Sequence, residues 1–93
     1  MRYFERIKKK LEENFFPSSL LVVDESELHA GHAGARPGGE THFRVVMASE
    51  SFKDMSRVER QRAVHKVLNS ELEERVHALS LELSVQKKGN LKD

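Results

Sequence analysis

The 93-residue chain contains no cysteine. That absence excludes disulfides and thiolate metal sites, and it fits a reducing compartment. Any metal chemistry must use histidine, carboxylates or thiolates lent by a partner. Long apolar runs are also missing: a stretch such as Leu20 to Val23 is far too short for a membrane span or a signal-peptide core. Nor is there an excess of one charge. The formal net charge is +1 with 33 % charged residues, which implies no strong attraction of the whole molecule to nucleic acid or membrane. Internal repeats and low-complexity tracts are absent. So are a His-Glu-x-x-His helix, a Ser or Cys nucleophile with a partner base, and a phosphate-cradling loop. Histidines near Glu40 suit a hydrolytic zinc in principle, but so short a chain leaves little room for a closed pocket. An enzyme is not expected.

What the chain does have is a glycine-rich, histidine-bearing stretch from His29 to His42. It holds His29, His32 and His42, and with them Gly31, Gly34, Gly38 and Gly39, four of the five glycines. Imidazole is a common ligand for borderline metals, and glycine lets the backbone bend where a ligand must be presented. His77 stands later, beside an apolar stretch. On either side the pattern is regular. Phe4, Ile7, Leu11 and Phe15 recur at helical spacing and predict a helix over 2–14, ended before Pro17. Strands are expected at 20–25, 42–49 and 78–85, the last from Leu79, Leu81, Leu83 and Val85 alternating with Ser80, Glu82 and Ser84. Ser56 and Glu59 form a capping-box pattern opening a helix over 57–69 that carries Val58, Val64, Leu68 and Leu72. Ser70 with Glu73 repeats the pattern and predicts a short helix near 71–75. Residues 28–40 are expected to lack regular structure, and 87–93 to be a disordered tail after a single domain spanning 1–86.

The order is α-β-β-α-α-β. A helical crossover makes the second and third strands parallel, and the glycine-rich connection makes the first two antiparallel. The fold class is therefore α+β: a three-stranded mixed sheet with helices on one face and the other face open. By strand parity His77 shares the covered side with Leu79 and Leu81, which reads as a satisfied, partly buried histidine. His29 and His32 read equally well as solvated loop residues. His42 points to the open face and is the weaker ligand candidate. His65 falls in the apolar stripe of its helix, at the core edge. Glu40 and Thr41 suit capping or loop hydrogen bonds.

Four motifs then carry a resemblance: Asp24-Glu25-Ser26; the His/Gly loop with Gly39-Glu40-Thr41-His42-Phe43-Arg44-Val45; Ser56-Arg57-Val58-x-Arg60-x-Arg62-x-Val64; and Val76-His77-Ala78-Leu79. In this order, across about residues 3 to 85, the chain resembles the BolA family. Gln61 and His65 depart from residues the family often has there, His and Tyr, and both lie away from the candidate ligands. The resemblance implies a type II KH-like fold. It also implies pairing with a monothiol (CGFS-type) glutaredoxin and a bridging 2Fe-2S cluster shared with that partner and glutathione. This chain would contribute His77 and one loop histidine, His32 or His29, in the manner of a histidine-loop subgroup. Histidine in place of thiolate on one iron raises the reduction potential, as in Rieske centres. The implied state is a monomer alone, with no tightly held cofactor, and a heterodimer with its partner. The compartment would be bacterial cytoplasm, or a mitochondrion or plastid. The competing expectation is a transcriptional regulator that grips DNA with Arg57, Arg60, Arg62 and Lys66. Residues 53–66 carry a local charge of +3, although no Gly-x-x-Gly loop lies between Phe52 and Leu79.

Overall fold

The computed structural model describes residues 2–26 and 39–86. Helix α1 spans Tyr3–Phe15 and buries Ile7, Leu11 and Phe15, one residue per turn. Burying such side chains contributes about 1.5–3 kcal/mol each. The helix closes at Phe16, whose left-handed backbone (φ 46°) lets its N–H bond Glu12 O at 3.1 Å. Strand β1 (Ser19–Asp24) runs antiparallel to β2 (His42–Ala48), with Ser19 opposite Ala48 and Asp24 opposite Phe43. A 3-10 turn at Glu50–Phe52, absent from the sequence-based expectation, follows; Ser49 accepts from Ser51 N–H and donates to Phe15 O. Helix α2 (Arg57–Val67) opens with the expected capping box: Glu59 N–H donates to Ser56 Oγ at 3.1 Å and Ser56 N–H to Glu59 Oε1 at 2.7 Å. Helix α3 (Asn69–Glu74) and strand β3 (Ala78–Ser84) complete the described chain.

The sheet order is β1-β2-β3, with β2 and β3 parallel and His42 opposite Ala78. The mixed α+β architecture is as expected. Phe43, Val45 and Met47 are buried with Ile7, Leu11, Phe52, Val64, Leu68 and Val76, while Leu79, Leu81 and Leu83 pack at the margin of that core. On the opposite face Arg44 pairs with Glu82 across the two strands at 2.8 Å, and Leu21 is 54 % exposed.

Three expectations for the helical segment 57–75 fail. Val58 is 55 % exposed and His65 is exposed. At 100° per residue, Val58 sits some 120° around α2 from Val64, so it cannot share its stripe. The inward positions are Val64 and Leu68, bordered by Ala63 and Val67. The second capping box does not form. Leu68 is the cap residue and Ser70 lies inside α3, because that helix starts immediately after α2 ends. The expected tail at 87–93 and most of the loop at 28–40 lie outside the described residues.

Candidate functional site

The pairing brings the C-terminal end of β1 and the N-terminal ends of β2 and β3 to one end of the sheet. A compact set of polar contacts is built there. Asp24 Oδ1 accepts from Ser26 N–H (2.9 Å) and from the Ser26 hydroxyl, an Asx turn closing β1. Ser26 Oγ then accepts from the N–H groups of Thr41 (2.9 Å) and His42 (3.3 Å). Thr41, fully buried, holds two histidines at once. Its carbonyl accepts His77 N–H at 2.6 Å, and its Oγ1 lies 2.9 Å from His42 Nδ1. Asp24 Oδ2 accepts Glu40 N–H at 3.2 Å. Arg75 grips Gly39 O through Nε (2.9 Å) and Nη2 (2.6 Å).

Gly39 and Glu40 are consecutive left-handed residues, φ 71° and 62°. Glycine tolerates that region; glutamate is strained in it and must be held there by other contacts. The side chain of Glu40 supplies them. Its Oε1 accepts Tyr3 N–H (3.1 Å) and its Oε2 pairs with Arg2 Nε (2.9 Å), so it caps α1 from across the fold rather than bracing the loop.

His77 is exposed, not the partly buried histidine that parity suggested. It lies one residue before β3, where its N–H is turned to Thr41 O, so the strand's alternation does not yet apply. His42, the weaker candidate by sequence, is 7 % exposed, and its ring meets that of His77 with centroids 5.3 Å apart and planes at 51°. The contact follows from the parallel register, which sets His42 beside Ala78. His29 and His32 lie outside the described residues. The described ends of their segment, Ser26 and Gly39, are both pinned at the end of the sheet that carries His77. Among the described residues, no three His, Asp or Glu side chains converge as metal ligands.

The turn leading to His77 is fixed from behind by α3. Glu71, at 0 % exposure, binds Arg6 Nη2 and Lys10 Nζ of α1, each at 2.9 Å, and its carbonyl accepts from Arg75 and Val76 N–H. Burial alone would push the Glu71 carboxyl up; the hydrogen bond and charge of Lys10 and the charge of Arg6 outweigh it and hold the group below the ordinary carboxylate range. Glu74 is likewise held low, first by Arg6 and then by the Tyr3 hydroxyl.

The basic set on α2 is divided. Arg57, Arg62 and Lys66 are exposed, and Arg57 and Arg62 flank Val58, Gln61 and His65 in a shallow concavity. Arg60 instead lies back on the core: its guanidinium donates to Met55 O (3.2 Å) and Leu83 O (3.4 Å) beside the Phe52 ring. Sequence reasoning grouped all four. It quoted Ser26 within a motif without giving it a role and passed over Arg75; of the two only Ser26 leaves a local signal, the Asp-x-Ser spacing of an Asx turn.

Comparison with known proteins agrees with this geometry. Residues 11–88 match the family model described as BolA-like protein. The chloroplastic protein BOLA1 of Arabidopsis thaliana is 42 % identical over 78 residues, covering 82 % of this chain and 49 % of that protein. The DNA-binding transcriptional regulator BolA of Haemophilus influenzae is 36 % identical over 77 residues, 83 % of this chain and 71 % of that one. The solved structure of BolA1 from Arabidopsis thaliana superposes with a TM-score of 0.81 at 37 % identity, covering 90 % of this chain and 92 % of that one. The chain belongs to the BolA-like protein family.

Proposed function

We propose that this protein is an adaptor rather than a catalyst. It pairs with a monothiol glutaredoxin and co-ligates a 2Fe-2S cluster bridging the two, in cluster trafficking or iron signalling. The observation that carries the proposal is the exposed imidazole of His77 at the end of the sheet where the histidine-bearing segment leaves at Ser26 and returns at Gly39. The donor set suits the chemistry. With no cysteine in the chain, His77 and one of His32 or His29 would hold iron, and the thiolates come from glutaredoxin and glutathione. Neutral nitrogen ligands on one iron raise the potential of a cluster relative to all-thiolate ligation. Sharing the ligands also makes pairing depend on the cluster. Among the described residues no helix is long and apolar enough to cross a membrane. Bacterial cytoplasm or an organelle suits the chain, its relatives including a chloroplastic and a bacterial protein.

The test is a visible absorption and circular-dichroism titration of a cluster-loaded monothiol glutaredoxin. The wild-type chain is expected to shift the cluster bands; His77→Ala abolishes the shift, and of His32→Ala and His29→Ala one mimics it while the other is silent. An unchanged shift with His77→Ala refutes the assignment. A second reading, DNA binding, is favoured by the name of the Haemophilus relative together with the exposed Arg57, Arg62 and Lys66. It requires affinity that falls steeply with salt and drops on reversing Arg62 to Glu.

A further inference from the structure

His42 stands outside the ligand pair proposed above, yet it is placed with the care given to a metal ligand. Its Nδ1 is engaged by the Thr41 hydroxyl at 2.9 Å. Thr41 Oγ1 is in turn 3.4 Å from Ser26 Oγ, whose hydroxyl donates to the Asp24 carboxylate. A carboxylate-anchored chain of hydrogen bonds behind one imidazole nitrogen is the arrangement that orients metal-bound histidines and fixes the other nitrogen, Nε2, as the ligand atom. The second ring is at the right distance. Two imidazoles on one tetrahedral ion, with metal–nitrogen bonds of about 2.0–2.1 Å, put their ring centroids about 5 Å apart. His42 and His77 stand 5.3 Å apart, with rings tilted by 51° rather than stacked. His77 is exposed, so an ion reaches the pair from solvent, and its backbone is tied to Thr41, the residue that also sets His42.

We propose that His42 and His77 form a binding site for an exchangeable borderline divalent cation, with zinc as the reference ion, in the protein free of any partner. Two imidazoles with water in the remaining positions hold the ion loosely enough to give it up. The site shares His77 with the cluster reading but does not rest on it. One imidazole cannot serve a mononuclear ion and a cluster iron together, so zinc opposes cluster sharing.

The experiment titrates Zn²⁺ into the metal-free full chain, followed by calorimetry and by ¹⁵N imidazole resonances. In the wild type, zinc is expected to shift the Nε2 signals of His42 and His77 together, saturably and at one equivalent. His77→Ala and His42→Gln each lower zinc affinity at least tenfold, Thr41→Val lowers it about tenfold by freeing the ring, and His65→Ala leaves it unchanged. A wild-type titration in which His42 does not shift overturns the proposal, and this readout stands even if His42→Gln fails to fold. Zinc binding abolished by His29→Ala with His32→Ala but retained in His42→Gln also overturns it. The cluster reading fails separately, if His77→Ala keeps the shared-cluster spectrum.

Discussion

Replacing Glu71 with Gln tests how the fold presents His77. The carboxylate is buried beneath Arg6 and Lys10 and joins α3 to α1. Removing one partner of a buried ion pair costs about 3–5 kcal/mol when the remaining charge is trapped. Here the cations keep access to water, with 27 % and 35 % of their side chains exposed, and Arg6 retains Glu74 at 2.9 Å. Glutamine also preserves shape and one acceptor oxygen. The loss should therefore fall below that range, at about 2 kcal/mol near neutral pH, a drop in Tm of about 10 °C for a domain of this size. The pH dependence separates charge from packing. The folded-state carboxyl titrates below its ordinary value of 4.5. Its contribution is complete above that value and is lost as pH falls through the folded-state value, because the unfolded chain takes up the proton first. Urea unfolding of both proteins between pH 7 and pH 3 is expected to show the gap shrinking below pH 4.5. Parallel curves across that range would refute a charge-based clamp.

Glu40→Ala should cost about 1 kcal/mol by uncapping α1, as typical cap deletions do, and hydrogen exchange should show the first turn of α1 opening while β2 stays protected. Arg75→Ala removes both donors to Gly39 O; binding of a cluster-loaded glutaredoxin should weaken severalfold at a Tm within a few degrees of wild type. Gly39→Ala places a side chain on a left-handed backbone, 3.5 Å from Asp24 Oδ2, and should lower stability by about 1 kcal/mol, measured by thermal melting. Arg60→Ala should destabilise by about 1 kcal/mol through lost packing on Phe52, whereas Arg57→Ala should leave stability unchanged; equal losses would mean that Arg60 does not lie on the core.

The strands were legible because a period of two is short enough to be phased by a few residues: Phe43, Val45 and Met47 suffice to orient β2. The parallel and antiparallel pairings followed from connection lengths, and they alone determine that Asp24, His42 and Ala78 meet at one end. Helix phasing is less forgiving. Assigning Val58 and His65 to the face of Val64 ignored how fast 100° steps accumulate, and the exposed side of α2 was the result. The polar contacts were hidden for another reason. Arg75 and Gly39 are separated by 36 positions and Arg2 and Glu40 by 38, so no local pattern records either pair.

His77 shows where parity stops being a guide. Alternation is a property of residues inside a ladder, and His77 stands one position outside it, its amide captured by Thr41 O. The same capture places its ring against His42 instead of among Leu79 and Leu81. A residue expected to be satisfied within the core is thus turned to solvent by one backbone hydrogen bond, and that bond depends on Thr41, whose own N–H is fixed by Ser26 and, through it, by Asp24. The chain of dependence runs from the end of β1 to the imidazole at the start of β3. Residues that never touch an ion therefore decide whether this histidine can reach one, and Ser26→Ala, remote in sequence from His77, is the substitution expected to disturb it most per atom removed.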